Sequence, residues 1–164
     1  MWKSILAAAM SLAAIAVLSV APSPGFAAEV VTVSLWDKGS EMEMPTGLGI
    51  GMSDDMSMAT MGVKLSTDTA TAGPVTFNVT NDSQDLIHEM VVVPLPAMGA
   101  DIPYLADEDK IDEDAAGHLG EVSELDPGQS GSLTIDLKPG DYGLICNIAG
   151  HYMSGMWAVF HVTP

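Results

Sequence analysis

Arginine is missing from this chain, and cysteine occurs once. Five lysines face 22 aspartates and glutamates, giving a formal charge of −17. A surface this poor in positive charge repels nucleic acid and anionic membrane. It attracts cations and basic proteins, and it also favours solubility. The lone thiol, Cys146, excludes an internal disulfide. Stability must come from a packed core, and 164 residues can bury one without cross-links.

Long apolar runs are also scarce. The one present, Ile5 to Val20, follows the charge of Lys3 and is broken at Pro22 and Pro24. Small residues at Gly25 and Ala27 then offer a cleavage site. The pattern reads as a secretory signal peptide over 1–27 rather than a membrane anchor, because the run is short for a span. Its removal would leave a single domain over 28–164. That domain has four lysines against all 22 acids, a formal charge of −18. The expectation is a soluble, monomeric, exported protein, periplasmic or otherwise outside the cytoplasm. An unpaired thiol there is exposed to oxidation unless it is buried or something occupies it.

Short alternating segments separated by turn signals predict an all-β sandwich or barrel. Strands are expected at Val30–Trp36, Gly62–Ser66, Gly73–Asp82, Leu86–Pro94, Leu119–Glu124 and Met156–Val162. The stretch "GSLTIDLKPGDYGLIC" reads as a hairpin turned at Pro139-Gly140. Acidic 103–117 is helical in part. Residues 37–61 are rich in glycine and methionine, keep no hydrophobic period, and read as a long loop or insert.

Chemistry concentrates in "YGLICNIAGHYMSGMWAVF". Four residues separate Cys146 from His151, and four more separate His151 from Met156. A cysteine at one strand end, a histidine in the connecting loop and a methionine opening the next strand can converge on one point. Thiolate, imidazole and a weak thioether suit copper, and a second histidine would complete a His2Cys set with an axial methionine. His88, at the start of an apolar strand, fits that place better than His118 in the acidic middle. His161 faces away from an inward Met156 by strand alternation.

Other readings use the residues less fully. A buried structural cysteine leaves His151 and Met156 without a purpose. A cysteine nucleophile lacks an oxyanion-hole signature, and structural zinc has no need of methionine.

The order "CNIAGHYMSGM", with Asn81 and His88 upstream and "KPGDYGLIC" before it, resembles the blue (type 1) copper proteins of the cupredoxin family, plastocyanin- and azurin-like. The resemblance covers roughly Val63 to Val162. It implies a Greek-key β-sandwich of about eight strands, one type 1 copper ion held by His88, Cys146, His151 and Met156, and one-electron transfer rather than an enzyme. The residue after the first histidine, Glu89, and the insert at 37–61 depart from the compact members.

Glu89 either hydrogen-bonds Asn147, tying two ligand segments together, or points to solvent. Leu95 to Met98 could add to an apolar docking patch near His151. The partners implied are redox proteins, a basic cytochrome among them. Met42, Met44, Met52, Met56, Met58 and Met61 leave a second reading open: a copper chaperone or buffer binding extra Cu(I) through thioethers. Flexible packing over the sandwich is their plainer role.

Overall fold

The computed structural model describes residues 27–95 and 102–164. The expected signal peptide, all but Ala27, lies outside the described residues, as do Pro96 to Met98 of the suggested apolar patch.

Two sheets face each other. One has the order β2-β1-β4-β9, from β1 (Glu29–Asp37), β2 (Met61–Leu65), β4 (Gly73–Asn81) and β9 (Ser130–Leu137). The other has the order β3-β11-β10-β5-β8, from β3 (Thr69–Thr71), β5 (His88–Pro94), β8 (Gly120–Leu125), β10 (Gly140–Ile145) and β11 (Trp157–Thr163). A small pair, β6 (Tyr104–Leu105) with β7 (Lys110–Ile111), and a single helical turn, α1 (Glu113–Ala116), make up the acidic middle. Eight of these strands have five residues or more, as the sandwich reading required.

Alternation explains the core. Val31, Val33 and Leu35 of β1 and Val75, Phe77 and Val79 of β4 are buried, while their neighbours are less so. They meet Met90 and Val92 of β5, Leu144 of β10, and Phe160 and Val162 of β11. Phe77 and Phe160 touch edge-to-face across the sheets, 5.3 Å between ring centres. Each such side chain contributes about 1.5–3 kcal/mol by leaving water.

β5 breaks the alternation, with His88 through Val93 all buried. Val91 and Val93 form a second cluster with Ile111, Ile145 and Tyr152 on the sheet's outer face. The acidic middle and the insert cover that face, which is why the strand is apolar throughout.

One expected element is different. β9 and β10 do not form a hairpin, since β9 pairs with β4 and β10 lies between β11 and β5. Lys138 and Pro139 carry the chain from one sheet to the other. β10 buries Tyr142 through Ile145 on both faces, and such a strand belongs in a sheet interior. β9 is only half-buried along most of its length and takes an edge.

Candidate metal centre

Four chain segments meet at one end of the sandwich. His88 opens β5, Cys146 follows β10, His151 begins a single 3-10 turn, and Met156 precedes β11. β10 and β11 run antiparallel up to the pair Ile145↔Trp157. One step further, the Cys146 amide donates to the Met156 carbonyl at 3.0 Å. The loop between them is therefore closed at its base. Gly150, at φ +80°, takes the left-handed turn that brings His151 inward.

His88 Nδ1 lies 3.9 Å from Cys146 Sγ, and His151 Nδ1 lies 3.4 Å from it. The two Nδ1 atoms are 3.3 Å apart. Among the described residues these three form the one cluster of His, Cys, Asp or Glu with metal-holding geometry, and all three are buried. Met156 is wholly buried in the same core cluster as Cys146. Two imidazoles, a thiolate and a thioether are the donor set that copper prefers.

The histidines that were set aside lie elsewhere. His118 is exposed near Glu113, 4.0 Å away, and His161 is exposed against Asp141 at 2.7 Å.

Burial keeps the three donors uncharged in the metal-free fold. Burial pushes the Cys146 thiol up to about 12, although the backbone amides of Glu89 and Ile148 point at the sulfur and pull the other way. Burial, with His88 beside it, lowers His151 to about 4, so its imidazole is neutral at pH 7 with a lone pair to give. His88 is likewise lowered by burial, against the opposing pull of Asp37. A metal entering here meets neutral imidazoles and displaces the thiol proton.

A polar network holds the His88 segment. Asn81, fully buried, donates its side-chain amide to the carbonyls of Leu86 and Leu125, each at 2.8 Å. Its side-chain oxygen accepts from the Ser83 amide at 3.0 Å. The Ser83 hydroxyl accepts from the amides of Asp85 and Leu86. The upstream asparagine noted in the sequence thus shapes the loop that delivers His88. Sequence reasoning missed Asp37, whose carboxylate sits 2.7 Å from His88 Nε2. Only the fold, by running β1 parallel to β4, brings the two together.

The expected Glu89–Asn147 bond does not form. Asn147 is committed to the Ile111 amide at 2.7 Å, the Ile111 carbonyl at 3.1 Å and the Glu113 carboxylate at 2.7 Å. It ties the ligand loop to the acidic middle instead. Glu89 is buried, and burial with the charges of Glu113, Glu121 and Glu124 raises it to about 7.

The insert packs onto the ligand loop. The Leu48 amide donates to the Met153 carbonyl at 2.9 Å, and Trp157 Nε1 donates to the Leu48 carbonyl at 2.6 Å. Tyr152 receives the Ile50 amide at 2.9 Å, and Ser154 donates to the Pro45 carbonyl at 2.8 Å. Met61 is fully buried in the core, and Met42 packs against it. Met44, Met52 and Met58 are exposed.

The sulfocyanin (SoxE) domain family matches residues 69–164, more than half of the chain. The chain belongs to this family. Sulfocyanins are cupredoxin-type, and cupredoxins are electron-transfer proteins that bind one type 1 copper. No curated protein sequence matches this sulfocyanin-family chain.

Among solved structures, auracyanin B superposes with a TM-score of 0.52 at 23% identity, covering 88% of this chain and 94% of its own. A rusticyanin variant gives 0.51 at 16% identity, covering 85% and 81%. Auracyanin from Roseiflexus castenholzii gives 0.48 at 20% identity, covering 85% and 100%. The first two likenesses establish the cupredoxin sandwich. The cluster of His88, Cys146, His151 and Met156 is suited to one copper ion.

Proposed function

We propose that this chain is an exported one-electron carrier in which His88, Cys146 and His151 hold copper and Met156 supplies the weak axial thioether. The convergence of two Nδ1 atoms and Sγ in one buried pocket carries this reading. When bound, copper supplies one-electron chemistry by cycling between Cu(I) and Cu(II). The protein's part is to keep the donors still while the charge changes. β5, β10 and β11 fix three of them at strand ends, and the insert braces the loop carrying the fourth.

His151 lines a surface pocket with Leu86, Ile87 and Ile148, so its ring is the short route for an electron. Acids dominate the chain, and a basic redox protein, such as a basic cytochrome, is the partner that charge favours. The signal-peptide pattern over 1–27 supports export, and burial of Cys146 protects its thiol from oxidation outside the cytoplasm. No described helix is long and apolar enough to cross a membrane.

The test is the visible spectrum of the oxidised, copper-loaded protein. An intense thiolate-to-copper band is expected. The faint absorption of an ordinary Cu(II) site would overturn the assignment.

A further inference from the structure

Asp37 closes β1 at the point where the insert begins. Its strand partner is Met61, the residue at which the insert returns. The carboxylate is 1% exposed. It faces three donors: the Gly39 amide at 2.6 Å, His88 Nε2 at 2.7 Å, and the Ser83 hydroxyl. Burying a carboxylate is costly unless its lone pairs are satisfied, and here three donors satisfy them.

The geometry points to Asp37 as a positioning residue for the copper site: its carboxylate holds the His88 ring proton on Nε2 and presents the Nδ1 lone pair to the metal. The argument is one of donors and acceptors. A carboxylate only accepts, so the ring nitrogen facing it must carry the proton. The other ring nitrogen then has a free pair, and it is the one beside Cys146 and His151. A carboxylate on the far nitrogen also makes the imidazole more basic. Its negative charge favours the oxidised ion over the reduced one and so lowers the reduction potential.

The inference rests on copper binding at His88, but its first test needs no copper. In the metal-free protein, nitrogen-15 NMR of the His88 ring should show the proton on Nε2. A proton on Nδ1 overturns the proposal, and this measurement uses the unaltered chain.

The second test is Asp37→Asn. The amide oxygen must still accept from Gly39, which turns the NH2 group toward Nε2 and drives the ring proton to Nδ1. The expected result is that tautomer change. In the loaded protein, about tenfold less preference for Cu(II) over Cu(I) is expected, a rise of about 59 mV for one electron. Asp37→Glu, which keeps the carboxylate, should lie nearer the unaltered protein on both readouts. Asp37→Asn with Nε2 still protonated and the potential unmoved sinks the proposal. A blue protein with that outcome loses the role of Asp37 and keeps the electron-carrier reading. A protein without the thiolate band but with His88 protonated on Nε2 loses the carrier reading and keeps the placement by Asp37.

Discussion

His88 and His151 offer the same atom, Nδ1, to the same point, yet they stand in opposite surroundings. His88 is on a strand, has no exposed surface, and is backed by the Asp37 carboxylate. His151 is on a loop, is 6% exposed, and lines the pocket that Ile87 and Ile148 share. One histidine is walled in and the other stands at the protein's edge. A carrier needs both conditions. The rigid side limits how far donors move as charge changes, and the open side gives the electron somewhere to go.

The largest effect should come from removing each ring in turn. His151→Gly leaves a hole that opens onto the surface pocket, so added imidazole should enter and restore the thiolate colour. His88→Gly leaves a sealed hole and strands a buried carboxylate on Asp37. That variant should lose about 1–3 kcal/mol of stability and bind copper poorly, with imidazole giving little recovery. Copper titrations followed by absorbance, with and without imidazole, compare the two. Equal rescue at both positions would break the distinction.

The open side was easier to read in the sequence than the closed side. Cys146, His151 and Met156 fall within eleven residues, and their order alone suggests a loop that gathers donors. His88 followed from its place at a strand end. Its partner Asp37 did not, because the pairing depends on how β1 lies beside β4. The insert was legible as a loop, but not as a brace. Its ties from Leu48 and Ile50 use backbone amides, which leave no mark on residue choice. The supposed hairpin failed for a similar reason. "KPG" signals a turn of the chain, and nothing local says whether the next strand joins the same sheet.

Charge sharpens the comparison at the open side. Asp85 and Glu124 flank the pocket at His151, with Lys110 the single cation among its lining residues. Opposite charges speed encounter, and salt screens them over about 10 Å at 0.1 M. Electron exchange with a basic acceptor should slow about tenfold between low and high ionic strength, and exchange with an acidic one should quicken. Stopped-flow rates across a salt series measure this. A flat rate with the basic acceptor would leave the apolar lining, Ile87 and Ile148, as the docking determinant.

The smallest effect concerns Glu89, next to the walled-in histidine but on the outer face of β5. Burial and the neighbouring acids raise it to about 7, against an ordinary glutamate near 4.5. A raised carboxyl binds its proton more tightly in the folded state than in the unfolded one. Its contribution is therefore fully present below about pH 4.5 and is lost as pH rises through about 7. In metal-free protein His151 works in the opposite sense. Its lowered value, about 4, contributes stability above its ordinary 6.5 that is lost as pH falls through 4. The two trends overlap, so the unaltered protein alone cannot separate them. Glu89→Gln does, because it removes only the first. At pH 4 the variant and the unaltered metal-free protein should unfold at nearly the same urea concentration. At pH 8 the variant should be more stable by about 1–2 kcal/mol, allowing for solvent screening around a group this close to the surface. The gap between the two curves should open between pH 4.5 and 7. A constant gap across that range would mean that Glu89 is already ionised in the fold, with its charge neutralised by Lys110.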